Sequence, residues 1–401
     1  MPTYTYVAKT RDGQRKTGTL TAENKQALMR SLQSQGLTAD NVREKGKSNS
    51  PKGGARVKST EILVFTRQLS TIVNAGLPLL QGLDILAEQT EDLRFAAVLR
   101  DIGGAVEGGE SFSEALKRHP RIFSDLYVSM IRAGEASGNL DNVLLQLADY
   151  MESMEELKRR IRSAMTYPVV AFSMIILIAA GLIIFVVPQF AEIFKSFDKA
   201  LPAPTQMLIN ISEVLRSWKI LVVVVAAVGG FIGFRAYRET ANGRLQTDAM
   251  MLKMPVFGKL LRKVAISRFA RTLSTLTRSG VSILAALEIV ERTAGNEVFA
   301  RVVRKAGDSV RGGETLADPL ARSQEFPAMV TRMIGVGEKT GALEQMLAKI
   351  SDFYDSEVKA AVDGLTSLIE PILIMMMGIV VGGIVIALFM PILQLSSLVQ
   401  Q

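Results

Sequence analysis

The sequence predicts a mostly α-helical integral membrane protein. We expect two homologous six-helix-bundle domains in the cytoplasm, three transmembrane helices and a small N-terminal α/β module. Three observations lead to this fold class: one long segment occurs twice, long apolar runs carry no charge, and the first 45 residues contain short strand-like segments around one predicted helix. Of the 401 residues, 48% are hydrophobic, and this excess lies in discrete runs, as is typical of a membrane protein.

The duplication is visible as matched motifs. The segment FTRQLST at residues 65–71 is matched by FARTLST at 269–275, and GEASGNL at 134–140 is matched by GEKTGAL at 337–343. The distance along the chain from a motif in the first copy to its counterpart in the second is far longer than the roughly 20–50 residues of solenoid repeats. Since each copy leads into a long apolar run, the pattern indicates a duplicated domain with its own membrane anchor.

Three apolar runs predict the transmembrane helices. Residues 163–191 carry no charge, and neither does any residue after Glu370; both runs exceed the roughly 20 apolar residues that cross a bilayer. A shorter run at 220–234 has no polar break and is flanked by Trp218 and Tyr237, residue types enriched at membrane interfaces. We place the three helices at residues 167–190, 218–236 and 369–393.

Basic residues predict the orientation of these helices. Ten Lys and Arg residues flank the predicted membrane helices on the side of the repeats, against four in the loop joining the first two helices. Positive charge near helix ends favours the cytoplasm, so both repeats and the N-terminus are expected there, with the C-terminus on the opposite side. The ten are Lys158, Arg159, Arg160, Arg162, Arg235, Arg238, Arg244, Lys253, Lys349 and Lys359; the four are Lys195, Lys199, Arg216 and Lys219.

The remaining segments complete the domain plan. Residues 1–45 are expected to form the α/β module, with a helix from Thr21 to before Gly36. Its strand-like segments are Thr3–Ala8, Lys16–Leu20 and Leu37–Arg43. A polar Gly/Ser/Lys linker follows at 46–59. We expect the repeats at 60–166 and 237–368, a short connecting loop at 191–217 and a tail at 394–401.

Glycine and glutamate mark the same turn in both repeats. Glycine at both ends of a five-residue segment suggests a helix that ends at the first glycine, followed by a tight turn. The intervening glutamate is expected either to cap a backbone amide or to pair with Arg67 and Arg271. Fold maintenance is the favoured role, and a partner-binding surface is the alternative. The candidate residues are Arg67, Gly76, Gly134, Glu135, Gly138, Leu140, Arg271, Gly280, Gly337, Glu338, Gly341 and Leu343.

No residue pattern indicates catalysis, a cofactor or a metal. Cysteine is absent and the single histidine, His119, precedes Pro120 in a polar turn, so we expect an exposed loop histidine. Residues 337–340 lack the Gly-Lys pair of a phosphate-binding loop. Acidic residues on the two long helices favour a solvated face over a calcium site. These residues are Asp141, Asp149, Glu152, Asp352, Asp355 and Glu357.

Two further function classes are disfavoured. A transporter would carry ionisable residues inside its membrane helices, whereas the three runs contain none. The net charge of +8 is compatible with nucleic-acid binding. However, the basic residues are spread along the chain, and one cluster lies directly before the first membrane helix. Attraction to anionic lipid headgroups explains that cluster more simply, and we expect no direct nucleic-acid binding.

Several motifs together resemble one family. They are FTRQL at 65–69, Ala75-Gly76, GEASGNL at 134–140 and TYP at 166–168, with their second-copy counterparts, and VPQF at 187–190, LPAPTQ at 201–206 and MPILQL at 390–395. In this order they resemble the inner-membrane platform proteins of type IV pilus assembly and type II secretion, the secretion protein F family. The resemblance covers essentially the whole chain.

The resemblance implies a non-enzymatic, oligomeric protein of the bacterial inner membrane, with a cytoplasmic N-terminus and a periplasmic C-terminus. Its implied partners are a hexameric assembly ATPase, a retraction ATPase in some systems, pilin or pseudopilin subunits, other inner-membrane assembly proteins, further copies of the same chain and the lipid bilayer. Some secretion members hold calcium with two acidic residues four positions apart after the glycine turn. The matching positions here are Leu145 and Asp149, which favours the pilus branch, with type II secretion as the alternative.

Overall fold

The computed structural model describes residues 3–9, 15–21, 38–44, 57–195, 202–255 and 257–399. The chain divides into two compact units, residues 1–57 and 58–401. In the described part, helices dominate, and three are long and apolar enough to cross a membrane: they lie within Leu140–Phe190, Ile220–Glu239 and Leu343–Met390. The prediction of a mostly helical chain with three apolar spans is confirmed.

The described part of the first unit is a three-stranded antiparallel sheet. Its strands are β1 (Thr3–Lys9), β2 (Arg15–Thr21) and β3 (Thr38–Glu44), in the order β2-β1-β3. The pairing between β1 and β3 is interrupted at one point. Val7 of β1 pairs with Asn41 of β3 and the next residue, Ala8, pairs with Ala39, so that Asp40 forms a bulge. The strands fall where the sequence predicts them. The helix expected after Thr21 lies outside the described residues, and the α/β character of this unit therefore stays a prediction.

The first repeat begins the second unit. Gly76, with φ of +83°, ends its first helix, because a left-handed conformation is open to glycine without steric cost. Ser111 caps a later helix by accepting a hydrogen bond from the Glu114 N–H (3.3 Å). The helices are α1 (Ser59–Asn74), α2 (Leu79–Gln89), α3 (Leu93–Glu107), α4 (Phe112–Lys117), α5 (Asp125–Ser137) and α6 (Leu140–Gly181).

The second repeat has the same element order. Gly280, with φ of +80°, ends its first helix as Gly76 does in the first copy. The helices are α11 (Phe257–Arg278), α12 (Ile283–Thr293), α13 (Glu297–Arg311), α14 (Ala317–Arg322), α15 (Ala328–Thr340) and α16 (Leu343–Val399). Between the repeats lie α7 (Val187–Lys195), α8 (Ala203–Arg216), α9 (Lys219–Glu239) and α10 (Ala241–Lys253).

Each repeat is built around a triplet of buried phenylalanines. In the first, Phe65 stacks edge-on against Phe95 and Phe123, with ring centroids 5.5 and 6.3 Å apart. The second copy contains the equivalent trio, in which Phe326 lies 4.9 Å from Phe269 and 5.4 Å from Phe299. Edge-to-face aromatic pairs at these distances are favourable. The duplicated sequence therefore produces the same core twice.

The two longest helices run from the repeats into the apolar segments. Helix α6 passes into α7 through a single wider π-helical turn, Leu182–Val186, just before Pro188. A proline has no N–H to donate and its ring clashes with the carbonyl four residues earlier, and a π-turn relieves such a conflict inside a helix. Helix α16 continues through Pro371 to Val399.

Helix α8 lies in the segment predicted as a connecting loop. It begins after Pro202 and carries Pro204 in its first turn, where the missing proline N–H has no intrahelical partner to lose. Its Ile209 is buried together with Val187 of α7 and with Ile384 and Leu388 of α16. The first and third apolar spans are thus held together through this short helix.

Candidate functional site

Glu135 joins two helices of the first repeat. It lies near the end of α5, and its carboxylate accepts hydrogen bonds from the Phe112 N–H (2.5 Å) and the Ser113 N–H (3.1 Å) at the start of α4. The first amides of a helix have no intrahelical acceptor, and a carboxylate there also meets the positive end of the helix dipole. The prediction that this glutamate caps a backbone amide is confirmed.

Glu338 makes the same connection in the second repeat. Its two carboxylate oxygens accept from the Leu316 N–H (2.5 Å) and the Ala317 N–H (3.0 Å) at the start of α14. Both glutamates are half-buried, and both point toward their own repeat. Their carboxylates therefore connect α4 to α5 and α14 to α15.

Gly134 and Gly337 are places of close helix approach. The prediction that they end their helices is wrong: α5 continues to Ser137 and α15 to Thr340. Both glycines are buried instead. A Cβ at Gly134 would lie 3.1 Å from the Val143 Cβ, and one at Gly337 would lie 2.8 Å from the Leu343 Cα. Only glycine lets the following long helix cross so closely.

Gly138 and Gly341 are the true helix ends. Each has φ of +70°, the left-handed conformation that closes a helix. In the first repeat the Asn139 N–H donates to the Gly134 carbonyl (3.0 Å). The next residue but one, Leu140 or Leu343, begins the long helix. Asn139 stands directly before α6, and its side chain makes no capping hydrogen bond.

Arg67 binds two carboxylates on the long helix of its own repeat. Its Nη2 lies 2.7 Å from the Asp149 Oδ1 and 2.5 Å from the Glu152 Oε2. Hydrogen bonding to Glu152 and then to Asp149 raises the pKa of Arg67 above its usual value. The alternative pairing of Arg67 with the turn glutamate is wrong. This pair of carboxylates, considered above for calcium, instead ties α1 to α6.

Arg271 occupies the equivalent position in a more buried setting. Its guanidinium pairs with Asp355 of α16, and the Ser267 hydroxyl donates to the other oxygen of that carboxylate (2.5 Å). Burial lowers the pKa of Arg271, against the raising effect of nearby Asp352. Here too the predicted partner, Glu338, is wrong, since it caps α14.

The two repeats contact each other through polar pairs. The Tyr150 and Thr272 hydroxyls lie 3.2 Å apart, and burial raises the pKa of Tyr150. The Ser279 hydroxyl donates to the Gln146 side chain (2.8 Å). A third contact between the repeats is an exposed ion pair, in which the Arg292 Nη1 lies 2.7 Å from the Asp125 Oδ2. None of these pairs is suggested by the repeated motifs, since each joins non-equivalent positions.

Sequence reasoning missed a buried carboxylate at the end of the second apolar span. Asp248 of α10 has a side chain only 3% exposed. It accepts hydrogen bonds from the Arg238 Nη2 (3.2 Å) and from the Glu297 N–H (2.8 Å). One aspartate in a polar helix carries no sequence signal of its own. Only the packing of α10 against α13 shows its role.

The remaining chemical candidates do not assemble a reactive site. His119 is half-buried rather than exposed, and its Nε2 lies 3.0 Å from the Asp101 Oδ2. Residues 337–340 are helical, so their backbone amides do not wrap a phosphate. Among the described residues, no group of three or more acidic or histidine side chains is placed to hold a metal ion.

Two family models match the chain. The model described as type II secretion system protein F matches residues 65–188 and again residues 269–391. These two matches coincide with the two copies that carry the phenylalanine triplets and the glycine–glutamate turns. A second model, the N-terminal domain of type II secretion system protein F, matches residues 1–43.

Curated relatives match over nearly the full length. The type IV pilus assembly protein PilC of Myxococcus xanthus is 43% identical, over 99% of this chain and 96% of that protein. PilC of Thermus thermophilus is 42% identical, over 98% of each chain. The type II secretion system protein F of Xanthomonas campestris is 34% identical, over 99% of each.

Proposed function

Because the chain belongs to the type II secretion system protein F family, we propose that it is the inner-membrane platform protein of a type IV pilus. The observation that carries this proposal is the whole-chain identity to pilus assembly proteins, which is higher than the identity to secretion proteins of the same family. Three apolar helices and the family make the chain a multi-pass inner-membrane protein.

In this proposal the two repeats are cytoplasmic helical bundles, at residues 60–166 and 237–368, and residues 1–45 form a cytoplasmic α/β module. The positive-inside distribution of Lys and Arg supports this orientation. Residues 191–217, which include α8, and the tail at 394–401 then face the periplasm. The linker at 46–59 separates the N-terminal module from the first bundle.

The proposed partners follow from this placement. The cytoplasmic bundles contact a hexameric assembly ATPase and, where filaments retract, a retraction ATPase. The membrane helices contact pilin subunits, other inner-membrane assembly proteins, the lipid bilayer and further copies of this chain. The platform itself catalyses no reaction: ATP hydrolysis belongs to the partner, and the chain contributes mechanical coupling.

The geometry supports a specific coupling route. Helices α6 and α16 each start at a glycine–glutamate turn and continue into an apolar span. A continuous helix transmits displacement along its axis more directly than a loop. We propose that strokes of the ATPase tilt or turn the bundles, and that α6 and α16 carry this motion to the pilin-binding membrane region.

Deletion of the coding sequence in the native host tests the pilus assignment. We expect surface filaments to disappear in electron micrographs while secreted enzymes still reach the medium, and plasmid-borne wild-type chain to restore the filaments. Unchanged filaments in the deletion strain would overturn the proposal.

The second candidate is a platform for type II secretion. It is favoured by the family description itself and by relatives named type II secretion system protein F. The same deletion strain distinguishes the two: exported proteins trapped in the periplasm, with filaments intact, would assign the secretion branch.

A further inference from the structure

A cleft lies between the two long helices where they approach their apolar segments. We call it the interhelical cleft; its volume is about 680 Å³. One wall is apolar and belongs to a packed cluster of side chains from both repeats. The cleft is lined by residues 157–164 of α6 and 355–367 of α16, and the apolar wall comprises Leu157, Ile161, Ala164, Val358 and Val362.

The other wall is lined by charged side chains, and some of them form no ion pair among the described residues. Of its three basic side chains, Arg160 binds Glu156 (2.5 Å). Arg159 and Lys359 form no ion pair among the described residues, and both are exposed. The cleft also contains two carboxylates: Asp355, which binds Arg271, and Asp363, which has no ion-pair partner in the described part of the chain. The unpaired charges therefore sum to one positive charge.

A smaller cavity adjoins the cleft and is lined by one buried hydrogen-bond donor that has no acceptor among the described residues. It measures about 360 Å³ and shares Leu157, Arg160, Asp355 and Lys359 with the interhelical cleft. Arg271 also lines it. The Nε of Arg271 is buried and, within the described residues, has no hydrogen-bond acceptor. Buried donors normally have a partner, so an oxygen-rich ligand would complete this region.

The position along the helices indicates where the ligand comes from. The uncharged part of α6 begins at residue 163, four residues after Arg159, and α16 carries no charge after Glu370. At about 1.5 Å of rise per residue, Arg159 lies only about 6 Å before the uncharged segment. The cleft therefore reaches the uncharged part of α6 at residues 163 and 164, whereas on α16 its lining ends at residue 367, just before Glu370.

We propose that the interhelical cleft binds the phosphate of an anionic phospholipid. Arg159 and Lys359 contact the phosphate, and the apolar wall accepts the first carbons of the acyl chains. A free phosphate would use the basic side chains but leave the apolar wall in water, so the lipid is the better fit. Basic pockets between membrane helices are suited to such headgroups. The site would link α6 to α16 through a lipid beside the start of the uncharged part of α6.

The test uses the full-length chain purified in detergent and depleted of lipid. Phosphatidylglycerol, phosphatidylcholine and inorganic phosphate are added separately, and bound lipid is counted by native mass spectrometry while the melting temperature is recorded. The test variant is Arg159→Gln/Lys359→Gln. The matched control is Arg121→Gln/Lys349→Gln, which removes the same charge from two exposed positions without ion pairs among the described residues.

We expect wild-type chain and the control variant to bind phosphatidylglycerol in preference to phosphatidylcholine and to melt at a higher temperature with it. The test variant should bind phosphatidylglycerol more weakly by roughly thirtyfold, since it lacks two basic residues and each contributes about 1 kcal/mol near an anionic headgroup. Equal binding by test and control variants would overturn the site.

Two measurements on the wild-type chain keep the proposal testable even if the variant does not fold. No preference for phosphatidylglycerol over phosphatidylcholine would overturn it. A melting shift reproduced in full by millimolar inorganic phosphate would also overturn the lipid assignment, because the apolar wall would then contribute nothing. A shift seen with phosphatidylglycerol alone supports it.

Discussion

The guanidinium of Arg238 donates a hydrogen bond to the buried carboxylate of Asp248, over 3.2 Å. The second oxygen of that carboxylate accepts from the Glu297 N–H. Arg238 lies in the last turn of the apolar helix α9, and Glu297 begins α13 of the second repeat. One aspartate thus ties the end of an apolar span to the first turn of a helix in the repeat.

Replacing this aspartate should destabilise the protein. Asp248→Ala leaves the Glu297 N–H without its acceptor and removes the partner of Arg238. We expect a loss of about 2 kcal/mol in the free energy of unfolding, the upper range for a lost helix cap. Chemical denaturation in detergent, followed by circular dichroism, measures it. The control is Glu239→Ala, because the Arg235–Glu239 pair is exposed and such pairs contribute little. Equal stability of the two variants would contradict this role.

The close helix crossing at Gly337 predicts an unusual response to a single methyl group. Gly337→Ala places a Cβ 2.8 Å from the Leu343 Cα, so the two helices must separate. We expect a net loss of about 1–2 kcal/mol, because overpacking exceeds the gain in helix propensity.

Gly364→Ala is the matched control, since this glycine also lies inside a helix and a Cβ there meets nothing within 4 Å. That variant should be stabilised by up to about 1 kcal/mol. Thermal unfolding of both variants side by side gives the answer, and a stabilising Gly337→Ala would refute the crossing.

The two turn glutamates should behave alike. Glu135→Ala and Glu338→Ala each leave two backbone N–H groups without acceptors, and we expect each to cost about 1–3 kcal/mol of stability. Glu88→Ala, at an exposed position of α2, is the control. A variant that keeps its melting temperature yet abolishes filaments would instead identify the glutamate as a partner contact.

Restricting motion between the repeats should stop filament assembly if the proposed coupling is right. The chain has no cysteine, so Asp125→Cys/Arg292→Cys can be joined selectively by a short bismaleimide across the inter-repeat ion pair. We expect cells to lose filament assembly only when cross-linked. The control pair, Glu291→Cys/Arg304→Cys, replaces an ion pair inside the second repeat and should leave assembly intact. Normal filaments from fully cross-linked chains would rule out relative motion of the repeats.

The sequence by itself determined the duplication, the mostly helical character and the three apolar spans. Each of these depends on patterns that are local or periodic along the chain: matched motifs, uncharged runs and helical spacing of apolar residues. The helix ends at Gly76 and Gly280 are likewise a local feature, because a left-handed turn favours glycine at that one position.

Only the tertiary structure decided how the marked residues are used. Gly134 and Gly337 look like helix ends in the sequence, yet they lie inside α5 and α15, where the close approach of α6 and α16 leaves no room for a side chain. Glu135 and Glu338 accept hydrogen bonds from the first backbone amides of α4 and α14 and do not pair with the arginines. Arg67 and Arg271 instead form ion pairs with carboxylates on the long helices. The role of Asp248 could not be predicted from the sequence, since burial of a single carboxylate depends on which helices pack around it. Sequence periodicity specifies which face of a helix is apolar. Contacts between elements far apart in the chain require the packing itself.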